Sequence, residues 1–207
     1  MSQPQYLGCI SAKTGKDSSE CGLTDVAFAG DRQVIVVDKH NKLVKVLEPD
    51  GKLVRYVGRN IVKEPSRVSV LPWNEHVLIT DSGAQDVKLF TPEGAMVGEV
   101  ASDLSSPSGH CIIPDTRRVA IINFDTKLVT VYENEAEEPA AFKKLHSFPT
   151  GLDCPAYITR TSCNNLVVSD WSAHKLRIYS DQGKFLKQIS SVGSGQGQVT
   201  QFNIFVE

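Results

Sequence analysis

The distribution of apolar and polar residues repeats four times along the chain. Each copy has four mostly apolar residues, an Asp or Asn, a short polar stretch, and a run in which apolar and polar residues alternate. The copies are VIVVDKHNKLVKVL (34–47), VLITDSGAQDVKLF (77–90), VAIINFDTKLVTVY (119–132) and LVVSDWSAHKLRIY (166–179). Alternation with a period of two residues predicts strands, so each copy predicts a β-hairpin. The Asp or Asn residues are Asp38, Asp81, Asn123 and Asp170, spaced 43, 42 and 47 residues apart.

Further strands are predicted before and after these hairpins. Short apolar segments precede them at 23–30, 65–72, 107–114 and 154–161. Behind three of the hairpins lie a glycine-containing turn and a fourth strand, at 48–58, 91–100 and 180–189. The third copy carries a longer acidic segment at 133–148, which accounts for its wider spacing. Gly51, Gly94 and Gly183 suit turn positions that require a positive φ.

Four antiparallel strands in about 42 residues predict one blade of a β-propeller. No 3.6-residue period extends over the length of a helix, so the predicted fold class is all-β. Blades arranged around an axis cover each other's apolar faces, which a single blade cannot do. We therefore predict a single propeller domain over 1–207. Its four complete blades are predicted at about 23–58, 65–100, 107–148 and 154–189, with 1–12 and 201–207 supplying an outer and an inner strand of a fifth blade.

The repeated segments resemble the NHL repeat. VVDKHNKLVKVLEPDGKLV and VSDWSAHKLRIYSDQGKFL each have an apolar strand ending in Asp, a polar turn, a second strand and a glycine turn. VGSGQGQVTQF (192–202) resembles the Gly- and Gln-rich spacer before a new NHL unit. The resemblance implies a propeller like the C-terminal NHL region of tripartite-motif and Brat-like proteins, which selects targets for a ubiquitin ligase or a post-transcriptional regulator. NHL propellers usually have six blades, so we expect this chain to be part of a larger protein.

Composition and net charge indicate which binding partners and which cell compartment suit this protein. The formal net charge of −2 provides no overall attraction to nucleic acid or to anionic membranes. No apolar run approaches the 18 residues that a membrane-spanning helix needs, and no secretory signal is evident. The five cysteines form no CxxC pair, so neither a zinc site nor thioredoxin-type chemistry is predicted. We expect reduced thiols and a cytoplasmic location.

No catalytic or cofactor motif is evident in the sequence. There is no GxSxG or HExxH segment, and the five histidines show no metal-ligand spacing. The glycines of GSGQGQ (193–198) precede a predicted strand, whereas a phosphate cradle needs a helix. The repeated Asp38, Asp81, Asn123 and Asp170 are predicted to accept hydrogen bonds from turn amides. We expect no cofactor. The alternative is a metal-dependent propeller hydrolase or lyase of the lactonase type, with Ca²⁺ or Zn²⁺ in the central channel.

The predicted binding surface consists of the turns between second and third strands, together with the linkers between blades. These segments should share one side of the propeller, which we call the loop face, because rigid scaffolds present binding residues on loops. Basic and aromatic side chains there could bind a protein target or single-stranded RNA. Two other interpretations are a solvated rim without function and self-association through the incomplete blade. The candidate residues are Lys39, His40, Arg59, Asn60, Lys63, Phe124, Lys127, Trp171, His174 and Lys175.

Overall fold

The computed structural model describes residues 9–190 apart from 16, 31, 136, 137 and 139. These residues form four sheets, each with four antiparallel strands in chain order. Blade 1 contains β1 (Leu23–Ala29), β2 (Gln33–Asp38), β3 (Leu43–Leu47) and β4 (Leu53–Val57). Blade 2 contains β5 (Pro65–Val70), β6 (Val77–Asp81), β7 (Asp86–Phe90) and β8 (Met96–Ala101). Blade 3 contains β9 (Pro107–Ile113), β10 (Arg118–Asn123), β11 (Leu128–Asn134) and β12 (Phe142–Pro149). Blade 4 contains β13 (Pro155–Arg160), β14 (Leu166–Asp170), β15 (Lys175–Tyr179) and β16 (Phe185–Ser190).

Successive blades pack side by side around their first strands. Strand β1 contacts β5, β5 contacts β9, and β9 contacts β13, so the first strand of each blade is the innermost. The predicted all-β propeller with four-stranded blades is confirmed. The one helix among the described residues is a 3₁₀ turn at Pro114–Thr116. In that part of the chain, no helix is long and apolar enough to cross a membrane.

Glycines at the β3–β4, β7–β8 and β15–β16 turns have the left-handed backbone that the sequence predicts. Their φ angles are +87° at Gly51, +98° at Gly94 and +81° at Gly183. Side chains rarely adopt this region because Cβ crowds the backbone, so glycine permits the tight reversal. These turns set the register of the outer strand in blades 1, 2 and 4.

The hydrophobic core lies between blades. Val37 and Val44 of blade 1 pack against Val68 and Ile79 of blade 2, and all four side chains are buried. Equivalent apolar clusters lie between blades 2 and 3 and between blades 3 and 4. Because each strand alternates its side chains between two neighbouring blades, both faces of the middle blades are apolar.

Residues 9–12, the described part of the predicted outer strand at 1–12, do not form a strand. Ala12 instead packs on Val36 and Leu47, on the face of blade 1 that points away from blade 2. This packing buries apolar surface although residues 9–12 pair with no strand. It accounts for the difference from the predicted outer strand. The predicted inner strand at 201–207 lies outside the described residues.

Candidate functional site

An equivalent backbone hydrogen bond connects the turn of each of the four blades on the loop face to the segment before that blade. The first residue of each turn after β2, β6, β10 and β14 donates its backbone N–H to a carbonyl of the segment that precedes the blade. The bonds join Lys39 to Gly22 (2.9 Å), Ser82 to Glu64 (3.0 Å), Phe124 to Ser106 (3.1 Å) and Trp171 to Cys154 (3.2 Å). The four turns and the linkers therefore lie on one side of the propeller.

An aspartate carboxylate fixes this turn in blades 1, 2 and 4, where it accepts the backbone N–H of Asn41, Ala84 and Ser172, respectively. Asp170 is buried and accepts hydrogen bonds from the backbone N–H groups of Asp153 (2.8 Å), Cys154 (3.1 Å), Ser172 (2.9 Å) and Ala173 (2.9 Å). Burial disfavours its charge, but these bonds and the Ser172 hydroxyl outweigh that effect and lower the pKa of Asp170 to about 2. The sequence predicts that the carboxylate accepts hydrogen bonds from turn amides. The structure shows that it also accepts hydrogen bonds from linker amides and thus joins the turn to the linker.

Asp81 repeats this arrangement in blade 2, whereas Asn123 in blade 3 accepts a linker amide and, among the described residues, not the turn amides that the sequence predicts. Asp81 accepts the backbone N–H groups of Lys63 and Glu64, both at 2.8 Å. Asn123 accepts the N–H of Ser105 at 3.2 Å. A neutral amide therefore takes the position of the carboxylate in blade 3.

A buried lysine follows the aspartate by seven residues in blades 1 and 2. The Nζ atom of Lys45 lies 2.7 Å from Asp38 and 2.8 Å from Asp17. The Nζ atom of Lys88 lies 3.2 Å from Asp81 and 2.5 Å from Asp86. Because the two residues of each pair lie on the same face of neighbouring strands, their charges compensate each other where water is excluded. In blade 1 that face is covered by the segment before β1, through Ala12, Asp17 and Cys21. Sequence reasoning missed these lysines, although their repeated spacing from the aspartates is visible.

The described residues contain one group of three potential metal ligands, namely Asp17, Cys21 and Asp38. The Nζ atom of Lys45 lies within 2.8 Å of both carboxylates and 3.5 Å from the Cys21 sulfur. Burial disfavours the charge of Asp38, but its bonds to Lys45 and Asn41 outweigh this and lower its pKa. The lysine ammonium therefore already supplies the positive charge, and the group does not fit a metal site.

The structure places all ten predicted partner-binding residues on the loop face, with different exposures. Seven side chains are exposed: Lys39, His40, Arg59, Asn60, Lys63, Lys127 and Trp171. Phe124, His174 and Lys175 are half-buried. Phe124 thus offers less aromatic surface than its sequence position indicates.

Phe124 and Trp171 occupy the same position in neighbouring blades, directly after Asn123 and Asp170. The side chain of Trp171 is 65% exposed. The backbone N–H of Trp171 is bonded to Cys154, and its turn is fixed by the Asp170 carboxylate. A large apolar ring is therefore exposed on a turn that has little freedom to move.

The charges on the loop face are mixed. Its basic residues alternate with acidic ones that are also exposed, namely Glu64, Asp103, Asp125 and Asp153. Each of the three linkers contributes at least one of these acids. The face is therefore not a uniformly basic surface.

A second group of side chains lies in the central channel, where sequence reasoning identified nothing. Asp25, Arg67, Gly109 and Tyr157 hold the same position on the four inner strands, directly after a break in the strand register. The guanidinium of Arg67 donates to the Thr24 carbonyl at 2.9 Å and lies 4.1 Å from the centre of the Tyr157 ring. Gly109 has no side chain between them, so Arg67 of blade 2 reaches blade 4.

His110 lies on β9 and is buried between blades 2 and 3. Its Nδ1 lies 2.7 Å from the Thr80 hydroxyl, and its Nε2 lies 2.8 Å from the Ser69 hydroxyl. Burial and the nearby charge of Arg67 lower the pKa of His110 to about 3. The imidazole is therefore neutral at physiological pH and satisfies its polar atoms within the interface.

No protein-family model matches the chain, and no curated protein matches it in sequence. Solved structures match its fold. A gluconolactonase from Xanthomonas campestris has a TM-score of 0.68 at 14% identity, over 81% of this chain and 61% of that chain. An inactive variant of virginiamycin B lyase from Staphylococcus aureus has a TM-score of 0.65 at 14% identity, over 86% and 57%. Kuenenia stuttgartiensis hydrazine synthase has a TM-score of 0.67 at 14% identity, over 94% and 53%.

These similarities show the fold alone. The chain is a β-propeller. It spans between 53% and 61% of the length of these three proteins.

Proposed function

We propose that this propeller is a non-enzymatic interaction module whose loop face binds a protein partner. The observation that carries the proposal is Trp171, which is 65% exposed on a turn fixed by hydrogen bonds. Tryptophan side chains are among the residues that dominate binding energy in protein interfaces. Because the turn is already ordered, burying the indole against a partner requires little further loss of conformational entropy.

A protein partner is favoured over single-stranded RNA by the distribution of charge. RNA-binding surfaces neutralise phosphates with a continuous basic surface. On the loop face, exposed acids such as Asp125 and Asp153 lie in the same turns and linkers as the basic residues. Mixed charges of this kind suit the polar rim of a protein interface, where they select the partner's orientation.

The NHL resemblance gives this proposal a biological setting. In that setting, the loop face would select targets for a ubiquitin ligase or a post-transcriptional regulator, and the catalytic part would lie outside this chain. The apolar strands that end at Asp38 and Asp170, each followed by a polar turn, support the setting. A ligase activity is not assigned to these residues.

Site-specific photo-crosslinking tests the proposal. The photoreactive residue p-benzoylphenylalanine would replace Trp171, and in a matched control it would replace Glu93, an exposed residue in the β7–β8 turn on the opposite face. We expect a protein adduct from the first position and none from the control. A nuclease-sensitive adduct would indicate RNA, and equal labelling at both positions would overturn the loop-face assignment. Stoichiometric Ca²⁺ or Zn²⁺ in the purified protein would favour the hydrolase or lyase alternative.

A further inference from the structure

We infer that a depression between blades 1 and 2 on the loop face binds a carboxylate group of the protein partner. The depression has a volume of about 300 Å³ and lies between the β2–β3 turn and the linker 58–64. Two basic residues, Lys42 and Arg59, line it, and no acidic residue does. The inference deepens the proposed function and rests on it for the class of partner.

The linker that forms one wall differs from the other two linkers of the propeller. Seven residues separate β4 from β5, whereas five residues separate β8 from β9 and β12 from β13. The longer linker contributes Arg59 and Asn60. Its turn is fixed because the backbone N–H groups of Ile61 and Val62 both donate to the Gly58 carbonyl, at 2.9 and 3.0 Å. This linker therefore forms a rigid wall that the two shorter linkers do not form.

The two cations have unused capacity for an anion. Among the described residues, neither Arg59 nor Lys42 forms an ion pair. The Arg59 guanidinium lies 4.7 Å from the centre of the Tyr56 ring. Stacking uses the face of the guanidinium and leaves the N–H donors in its plane able to bind a carboxylate. Lys42 has a left-handed backbone, with φ of +56°, at the end of its turn.

The opposite wall is preorganised by Asn41. Its side-chain oxygen accepts the Ser19 backbone N–H at 3.0 Å, and its side-chain nitrogen donates to Asp38 at 2.9 Å. Leu43 and Val62 add apolar surface to the lining. Two cations with a small apolar area suit a carboxylate on a short aliphatic stem. Such a group occurs in a glutamate side chain and at the C-terminus of a peptide that ends in an aliphatic residue.

The next blade does not repeat this charge arrangement. Asp86 takes the place of Leu43 in blade 2, and the following linker carries Asp103. Asp86 is already paired with Lys88, so Asp103 is the exposed carboxylate there that would repel a second one. The junction of blades 2 and 3 therefore lacks the charge arrangement of the proposed site.

Nuclear magnetic resonance titration with short peptides tests this inference without the partner. The probes are acetyl-Ala-Glu-Ala-amide and acetyl-Ala-Ala-Val with a free carboxylate, each with a neutral amide analogue as its control. We expect concentration-dependent shifts of the backbone amides at 41–43 and 58–62 with one or both acidic peptides. The acidic peptide that binds identifies whether a side chain or a C-terminus is recognised.

Two substitutions separate this site from general charge effects. Arg59→Gln should weaken peptide binding about tenfold, because a charged hydrogen-bond donor is lost. Arg32→Gln removes an exposed arginine from the β1–β2 turn, outside both the depression and the predicted binding residues, and it should leave the binding unchanged. The inference is overturned if no shift occurs up to about 10 mM peptide. Equal shifts with the neutral peptides, or equal binding by both variants, would overturn it as well. None of these results depends on crosslinking at Trp171, so the two proposals can fail separately.

Discussion

The ammonium group of Lys45 lies 2.7 Å from the Asp38 carboxylate, and neither side chain is accessible to solvent. Blade 2 has the same pair at the same spacing, Lys88 and Asp81. In blade 3 both members are replaced by neutral residues, and the Asn123 amide lies 3.4 Å from the Thr130 hydroxyl. In blade 4 the buried Asp170 carboxylate has backbone N–H donors and no ion pair among the described residues. Where a buried lysine does form the pair, removing it leaves a buried carboxylate uncompensated, which is strongly destabilising.

Substituting Lys45 should therefore destabilise the propeller far more than substituting an exposed lysine. Lys45→Met leaves Asp38 and Asp17 without their cation, and we expect a loss of about 3–5 kcal/mol in the free energy of unfolding. Urea denaturation measures this loss. Lys52→Met, in the exposed β3–β4 turn of the same blade, is the matched control and should change stability by less than about 0.5 kcal/mol. Equal effects of the two substitutions would show that the buried pair has no energetic role.

A comparison of two glycines should separate backbone strain from packing. Gly58 and Gly30 have φ angles of +61° and +60°. A Cβ atom at Gly58 would lie 2.6 Å from the Phe90 ring, whereas nothing lies within 4 Å of one at Gly30. Gly30→Ala should destabilise by about 1–2 kcal/mol through backbone strain alone. Gly58→Ala should add about 1–3 kcal/mol from overpacking.

Thermal or urea unfolding of the two glycine variants provides the measurement. Similar losses would mean that Phe90 moves aside without energetic consequence. The linker 58–64 would then be less firmly fixed than its hydrogen bonds indicate, and the preorganisation of the depression beside Arg59 would lose its support.

The buried His110 predicts a specific pH dependence of stability. Its pKa in the folded protein, about 3, lies below the ordinary value of 6.5. The unfolded chain therefore takes up a proton first as the pH falls. The stability that His110 contributes is present above pH 6.5 and is lost as the pH falls toward 3.

The measurement is the free energy of unfolding between pH 7 and pH 5, compared with His110→Gln. Below its unfolded pKa, wild type should lose about 1.4 kcal/mol per pH unit relative to this variant. His40→Gln, at an exposed turn position, should retain the wild-type slope. If the free energy of unfolding of His110→Gln depended on pH as steeply as that of wild type, His110 would not be a neutral, buried imidazole.

The fold was largely predictable because its determinants are local. Strand alternation and the turn glycines Gly51, Gly94 and Gly183 act over a few residues, and the repeat showed that each blade uses them in the same way. Packing of the first segment was not predictable from local pattern. Residues 9–12 are apolar enough for a strand, but Ala12 is buried on the face of blade 1 instead.

The side-chain clusters were harder to predict because their members are far apart in sequence. Arg67 and Tyr157 are separated by 90 positions and meet only because Gly109 leaves space between them. His110 gave no sign of burial, since its partners Thr80 and Ser69 belong to another blade. The loop-face residues were accessible to sequence reasoning, because turn positions follow from the repeat. The turn position of Phe124 did not indicate that its side chain is half-buried.

The affinity of Trp171→Ala for the partner identified by crosslinking measures how much this side chain contributes to binding. Ser82 holds the equivalent position in blade 2, so Ser82→Ala is the matched control. We expect a loss of at least about 2 kcal/mol, or roughly thirtyfold, for Trp171→Ala, and no more than about a twofold change for Ser82→Ala. Unchanged affinity in Trp171→Ala, with the fold intact, would contradict a loop face that binds its partner through this tryptophan.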